Sequence, residues 1–192
     1  HESKSSMLVD HKLQDLIHTA QWIDQRQWCP ATGGNFSLRI AEQIYITASG
    51  KHKGHLQLND FLTINDQGDV LATRASGVKP SAETAVHTAL YRLDPKVECV
   101  LHTHSVNSTI LSLLTLEDHL AIQGLEMQKS LTGNTTHVDR IKLAIFDNTQ
   151  DMQFLAQHIT KRWEKEPLQW GLLVRGHGLY AWGHSLAETK RH

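Results

Sequence analysis

The stretch Val97-Glu98-Cys99-Val100-Leu101-His102-Thr103-His104 joins an apolar run to two histidines at its end. The apolar run is typical of a buried β-strand. Because successive side chains of a strand point to opposite faces, His102 and His104 leave the same face and can converge on one ion. The ends of strands are also where loops assemble sites on a rigid scaffold. The stretch therefore predicts a buried strand with a candidate metal-binding pair at its end.

The histidine pair alone is weak evidence for a metal, because fourteen histidines in 192 residues predict about one such pair by chance. A hydrogen-bonded pair of core histidines is the competing interpretation. The best candidate for a third ligand is His177, which follows the apolar run 171–175 and lies between two glycines that permit close backbone approach. Three neutral imidazoles would leave a zinc ion one or two open positions, as in a catalytic site.

The bulk composition is that of one domain with no strong bias towards a charged partner. The 192 residues include 19 basic and 20 acidic side chains, which gives a net charge of -1 and argues against nucleic acid and anionic membranes as partners. No uncharged run reaches the ~18 residues of a membrane span. With only two cysteines, Cys29 and Cys99, we expect a cytoplasmic protein of a reducing compartment.

Outward from the central strand, hydrophobic periodicity predicts alternating short strands and helices. An amphipathic helix is predicted at 10–27, with Asp10 as its cap, and Ser81 is predicted to cap a second helix. The other predicted elements are strands at 36–40, 43–47, 61–65, 70–73, 120–123, 141–146, 171–175 and 178–182, and helices at 82–93, 106–114 and 151–165, with a further helix beginning near 188.

No repeat, low-complexity stretch or flexible linker divides these elements. We therefore predict an α/β fold, with a single three-layer α/β/α domain over residues 1–192 and a central sheet that is mixed or largely antiparallel. Residues 1–7 are polar and are expected to be flexible.

Three loops combine glycine, hydroxyl or cationic residues beside a regular element, at 32–37, 47–51 and 79–81. Such loops suit the binding of a phosphate, although each alone is more often an ordinary turn or cap. Two glutamates are candidate acid/base groups. Glu83 would lie in the first turn of a helix, where a carboxylate commonly serves only the helix dipole, and the alternative for Glu126 is a solvated surface position.

Five motifs occur in an order that resembles the class II aldolase and adducin domain family, over about residues 10–192. They are Thr32-Gly-Gly-Asn-Phe-Ser37, Ser49-Gly50, Lys79-Pro-Ser-Ala-Glu83, His102-Thr-His104 and Arg175-Gly-His-Gly178. The resemblance implies one zinc ion per subunit on His102, His104 and His177, and a homo-oligomer that is usually a tetramer. It also implies a phosphate pocket, whose positions here are Thr32, Gly34, Asn35, Ser49, Gly50 and Ser81.

Three further stretches are similar to the branch of this family that dehydrates a phosphorylated methylthio-ketose in methionine salvage. They are Gly50-Lys-His-Lys-Gly54, Gly124-Leu-Glu-Met-Gln128 and Gly178-Leu-Tyr-Ala-Trp-Gly183. In this branch Glu126 matches the proposed acid/base, which would help the C4 hydroxyl to leave after a zinc-stabilised enediolate forms. Glu83 matches the carboxylate that aldolases use at the metal. No redox cofactor is implied.

Two alternatives remain at this point. One is another enzyme on the same scaffold, a sugar-phosphate aldolase or a ribulose-phosphate 4-epimerase; Ala82, which stands where the aldolases have a second serine, and Glu126 both favour dehydration. The other is a non-catalytic interaction domain, as in adducin, against which the complete histidine triad speaks. We therefore expect a phosphorylated ketose and further copies of the chain as partners.

Overall fold

The computed structural model describes residues 4–27, 33–104, 119–122 and 141–191. In those ranges the strands are β1 (Asn35–Ile40), β2 (Gln43–Thr47), β3 (Phe61–Ile64), β4 (Val70–Thr73), β5 (Cys99–Thr103), β6 (His119–Ile122), β7 (Ile141–Phe146), β8 (Gly171–Val174) and β9 (Gly178–Gly183). They form one sheet in the order β4-β3-β2-β1-β5-β9-β8-β7-β6. Neighbouring strands are antiparallel except for β7 and β8, so the predicted mixed, largely antiparallel sheet is confirmed.

Helices cover both faces of this sheet. In the described ranges they are α1 (Lys4–Gln25), α2 (Thr84–Leu93), α3 (Met152–Lys165) and α4 (Leu186–Arg191). The apolar stripe of α1 packs, together with Leu186 of α4, on one face, and α2 and α3 contribute to a second apolar cluster on the other. The predicted three-layer α/β/α arrangement is therefore confirmed.

Strand β1 supplies both layers because its side chains alternate between the two faces. Phe36, Leu38 and Ile40 pack in the cluster that contains α1. Asn35 and Ser37 lie on the opposite side and make hydrogen bonds with side chains of α2 or of the residue that caps it. One strand thus joins the core under α1 to a polar buried region under α2.

The predicted start of the first helix is wrong. Helix α1 begins at Lys4, ahead of Asp10, and the carboxylate of Asp10 instead pairs with Arg74 at 2.5 Å. Val9 is buried and lies four residues before Leu13, so it extends the apolar stripe towards the N-terminus and the helix continues with it. Residues 4–7 are consequently helical rather than frayed.

The predicted cap of the second helix is also displaced. Glu83, not Ser81, occupies the N-cap position of α2. Ser81 still organises the turn, because its Oγ accepts a hydrogen bond from the Glu83 amide at 3.2 Å and its carbonyl accepts one from the Thr84 amide at 3.1 Å. Glu83 therefore stands at the boundary between a loop and the helix.

The other strands and helices that fall in the described ranges are confirmed, with shifts of one or two residues at their ends. The predicted helix at 106–114 lies outside the described residues, as do Thr32 and Glu126. Among the helices described, none has both the length and the apolar composition needed to cross a bilayer.

Candidate metal centre and active site

His102 is fixed on β5 in one orientation and one tautomer. Its side chain is fully buried, and its Nδ1–H donates to the carbonyl of Leu179 on the neighbouring strand β9 at 2.9 Å. The ring of Tyr180 stacks on the imidazole with 4.0 Å between the centroids. Because Nδ1 carries the proton, the lone pair of Nε2 is available to a ligand, as is usual for a metal-binding histidine.

His104 and His177 lie beside His102. The Nε2 atoms of His104 and His102 are 2.9 Å apart, and the ring of His177 stacks on that of His102 at 5.2 Å. Burial lowers the pKa of His104 to about 4, and the positive charge that His102 or His177 carries when protonated acts in the same direction. At neutral pH the imidazole of His104 is therefore uncharged and can offer its lone pair.

The approach of the three rings depends on Gly178, the first residue of β9. A Cβ at this position would overlap the carbonyl oxygen of Thr103 and would lie 3.2 Å from His102 Cε1 and 3.3 Å from His104 Cδ2. Only a residue without a side chain lets the turn that carries His177 pass so close to the end of β5.

Glu83 adds a carboxylate to the three imidazoles. Its Oε1 lies 2.6 Å from His177 Nε2 and 3.4 Å from His102 Nε2. Burial alone would raise the pKa of Glu83, but the contacts of its carboxylate with the rings of His102 and His177 outweigh burial and hold that pKa below its ordinary value. The carboxylate is consequently ionised at neutral pH.

One ligand atom from each of Glu83, His102, His104 and His177 lies within 4.8 Å of the others. Three imidazole nitrogens and a carboxylate oxygen are donors that suit zinc and other divalent transition metals. The residues present therefore fit a metal ion, and the metal-ligand role predicted for the three histidines is compatible with their geometry.

The loops predicted to bind phosphate are held together at one edge of this centre. Ala48 and Pro80 form an isolated β-bridge, and the Ser49 amide donates to the carbonyl of Lys79 at 2.8 Å. The Phe36 amide donates to the Thr47 hydroxyl at 3.1 Å, which ties β1 to the end of β2. The three loops, although distant in sequence, thus adjoin one another.

Within these loops Gly50 has a φ of 77° and open space where a side chain would be. That backbone conformation favours glycine, and the free space leaves room for a group to approach the loop. Lys53, which the sequence reasoning did not single out, is 1 % exposed and donates from Nζ to the carbonyl of Lys51 at 2.6 Å. A buried cation three residues after Gly50 suits an anionic ligand.

His87 is a second residue that sequence reasoning missed. It lies four positions after Glu83 on α2, and its Nε2 contacts the Oδ1 of Asn35, whose Nδ2 donates to Glu83 Oε2. The spacing of four residues places Glu83, at the N-cap, and His87, in the first turns of α2, on the same side, and it is the signal that could have indicated a link.

Comparison with known proteins identifies the family. Residues 14–192 match the Class II Aldolase and Adducin N-terminal domain. The chain belongs to the class II aldolase and adducin family. Solved structures of this fold include YgbL from Escherichia coli, with a TM-score of 0.78, 26% identity and coverage of 95% of this chain and 83% of that one.

A second structure, L-fuculose-1-phosphate aldolase from Thermus thermophilus, shares the fold with a TM-score of 0.71 and 23% identity, over 93% of this chain and 83% of that one. Among sequences, the methylthioribulose-1-phosphate dehydratase of Serratia proteamaculans is 50% identical over 187 residues, which are 97% of this chain and 90% of that protein. The dehydratase of the same name from Pectobacterium carotovorum is 50% identical over 189 residues, with coverage of 97% and 90%.

The structure thus brings together most of the residues that the family resemblance singled out. The histidine triad and Glu83 form one cluster, and Asn35 contacts Glu83 directly. The loop positions Ser49, Gly50 and Ser81 lie on segments that adjoin one another. Gly34 directly precedes β1.

Proposed function

We propose that this chain of the class II aldolase family is a metal-dependent methylthioribulose-1-phosphate dehydratase. The reaction removes water from 5-methylthioribulose 1-phosphate and yields 2,3-diketo-5-methylthiopentyl 1-phosphate. The observation that carries the proposal is the convergence of Glu83, His102, His104 and His177 in a chain that is 50% identical to the dehydratase relatives along nearly its whole length.

In this proposal His102, His104 and His177 hold one divalent ion per chain, and zinc is the ion that three neutral imidazoles suit best. When bound, the ion supplies Lewis acidity, which stabilises negative charge that develops on the carbonyl side of the ketose. The hydrogen bond from His102 Nδ1 to Leu179 keeps that imidazole in the tautomer that metal binding requires.

The phosphate of the substrate is assigned to the adjoining loops. Thr32, Gly34, Asn35, Ser49, Gly50 and Ser81 are the proposed phosphate and substrate contacts. Support comes from the bridge between Ala48 and Pro80, which joins two of the loops, and from the free space at Gly50. The amides of Ala48 and Ser49 already donate within the fold, so the hydroxyls of Ser49 and Ser81 are the donors assigned to the anion. The nearby ammonium of Lys53 adds a positive charge.

The two carboxylates are assigned different roles, and the environment of Glu83 limits what that residue can do. The pKa of Glu83 lies below its ordinary value, so Glu83 stays ionised and is a poor proton donor at neutral pH. Its proposed role is beside the ion, where the ionised carboxylate orients the three histidines. Proton donation to the departing C4 hydroxyl is assigned to Glu126.

A sugar-phosphate aldolase is the second candidate, because L-fuculose-1-phosphate aldolase has the same fold. Aldol cleavage would break the bond between C3 and C4, whereas dehydration breaks the bond between C4 and its oxygen. The identity to the dehydratases and Ala82 in place of a second serine favour dehydration.

The proposed assembly is a homotetramer, which is usual in the family.

The proposal is tested by incubating the metal-loaded protein with synthetic 5-methylthioribulose 1-phosphate and analysing the products by mass spectrometry. A product lighter than the substrate by one water supports dehydration. Dihydroxyacetone phosphate together with a methylthio-aldehyde would instead identify an aldolase. A matched sample that has been stripped of metal with a chelator and then reloaded tests whether turnover depends on the ion.

A further inference from the structure

A line of hydrogen-bonded side chains leads from Glu83 into the core between β1 and α2. Glu83 contacts Asn35, Asn35 contacts His87, and Ser37 Oγ lies 2.7 Å from both His87 Nδ1 and the hydroxyl of Tyr91. Asn35, Ser37, His87 and Tyr91 are each no more than 2% exposed. Because buried polar groups without partners are destabilising, each of these contacts must join a donor to an acceptor.

That requirement leaves one arrangement of protons. The ionised carboxylate of Glu83 can only accept, so Asn35 donates to it from Nδ2 and turns its Oδ1 towards His87. Since Oδ1 also only accepts, Nε2 of His87 must carry a proton. Burial lowers the pKa of His87 to about 3, so the ring is neutral and its Nδ1 is an acceptor. Ser37 then donates to Nδ1.

The last contact follows in the same way. The single hydroxyl proton of Ser37 is used on His87, so its oxygen accepts the proton of Tyr91. Every donor in the line consequently points towards Glu83. Ser37 sets the tautomer of His87, and this tautomer in turn sets the orientation of the Asn35 amide.

We propose that His87 is a positioning residue for the metal centre, acting on Glu83 through Asn35. A flipped Asn35 amide would turn its oxygen towards the Glu83 carboxylate and its N–H towards His87. Two acceptors would then face each other at Glu83, and two donors would face each other at His87. The Nε2–H of His87 prevents this flip and thereby holds one oxygen of Glu83, so that the other is directed at His177. The inference rests on the proposed metal centre.

The test measures the affinity of the metal-free protein for Zn²⁺ alone, by competition with a chromophoric chelator at neutral pH. Four proteins are compared: the wild type, His87→Leu, Glu83→Gln and the double variant. We expect His87→Leu to weaken zinc binding by about 10- to 100-fold, the usual effect of removing the partner that orients a metal ligand. In the Glu83→Gln background the same substitution should have little further effect, because its route to the ion is gone.

A pair of conservative variants separates positioning from packing. Glutamine at position 87 can place an N–H near the position of imidazole Nε2 and bond to Asn35, whereas asparagine reaches only to the position of Nδ1. We therefore expect His87→Gln to keep most of the zinc affinity and His87→Asn to lose as much as His87→Leu. The control is Thr88→Val on the same helix. Thr88 is also buried, at 2% exposure, and the substitution removes only its hydrogen bond to the carbonyl of Ala85 at 3.1 Å.

The outcomes are distinct. The positioning role would be overturned if His87→Leu weakened zinc binding by the same factor with and without Glu83. It would also be overturned if His87→Gln and His87→Asn bound zinc with equal affinity. If His87→Leu does not fold, the glutamine and asparagine variants decide the question. A wild type that binds no zinc would refute the metal centre and this inference with it. A wild type that binds zinc normally but does not dehydrate the ketose would refute the proposed function alone.

Discussion

Glu83 Oε1 lies 2.6 Å from His177 Nε2, although 94 positions separate the two residues in the chain. The contact joins the start of α2 to the turn between β8 and β9. Both ends are carried by regular elements that pack on or belong to the central sheet. The carboxylate and the imidazole are therefore held close to each other by the fold itself.

The first prediction concerns metal content. The purified protein should contain about one divalent ion per chain, and His102→Ala or His104→Ala should lose the ion and all turnover while circular dichroism stays native. Metal analysis by mass spectrometry makes the measurement. His158→Ala, at an exposed position on α3, is the matched control and should keep its ion. Full ion content in His102→Ala would contradict the assignment, and global unfolding would indicate a structural metal.

The second prediction concerns the backbone at Gly178. Gly178→Ala should lower zinc affinity and turnover together, because the added Cβ must displace the carbonyl of Thr103 or the rings of His102 and His104. Zinc titration and thermal unfolding should be measured in parallel. Gly77→Ala is the control, since no atom lies within 4 Å of a Cβ placed there and only the backbone φ of 75° is strained. Normal zinc binding by Gly178→Ala would contradict the close approach described above.

The third prediction separates the two carboxylates. Glu126→Gln preserves shape and hydrogen bonding but cannot transfer the proton, so dehydration should fall by ~10²-fold or more while zinc and substrate binding survive. Steady-state rates and binding isotherms provide the comparison. If Glu126→Gln dehydrates at a near-normal rate and Glu83→Gln with its ion bound does not, the acid/base role belongs to Glu83.

The fourth prediction concerns the phosphate loops. Ser49→Ala and Ser81→Ala should raise KM by about 10-fold or more with a smaller change in kcat, because a hydrogen bond to a charged group contributes about 1.5–3 kcal/mol and is made in both ground and transition states. Ser185→Ala, whose hydroxyl only caps α4 by accepting from the Glu188 amide at 3.1 Å, is the control. An unchanged KM in both loop variants would remove these hydroxyls from the phosphate site.

The fifth prediction is a pH dependence of stability. The pKa of His87 falls from 6.5 to about 3 on folding, because burial opposes its charged form. Between these values the unfolded chain binds a proton that the folded chain does not, so the free energy of unfolding decreases as the pH falls from about 6.5 towards 3. The contribution of His87 to this slope is at most about 1.4 kcal/mol per pH unit, and the slope vanishes about one pH unit above 6.5, where the unfolded chain no longer binds the proton.

This slope is measured by denaturant unfolding at several pH values in the wild type and in His87→Gln, which cannot titrate. The variant should show a shallower loss of stability between about pH 6 and pH 5. That window lies above the ordinary pKa of Glu83, 4.5, so its titration adds little there. Tyr91 and Tyr180, which face His87, remain neutral because burial raises the pKa of both. Parallel slopes in the two proteins would contradict the prediction.

Much of the fold followed from local patterns in the chain. The alternation of side chains along a strand and the helical spacing of apolar residues are set by backbone geometry, and they predicted most of the described elements to within one or two residues. The same alternation predicted that His102 and His104 would share a face. The start of α1 was missed because Asp10 is an attractive cap in isolation, while the burial of Val9 depends on the rest of the core.

Only the tertiary structure decided which distant residues meet. The antiparallel register of β5 with β9 places Thr103 opposite Leu179 and so brings the turn with His177 to the end of the strand with the histidine pair. The position of α2 over β1 places Asn35 between Glu83 and His87. Local propensity carries no information on such contacts, because strand pairing and helix packing are selected by the burial of the whole core. The chain by itself therefore determined its elements and the candidate ligands, and the packed sheet determined which carboxylate and which buried histidine lie beside them.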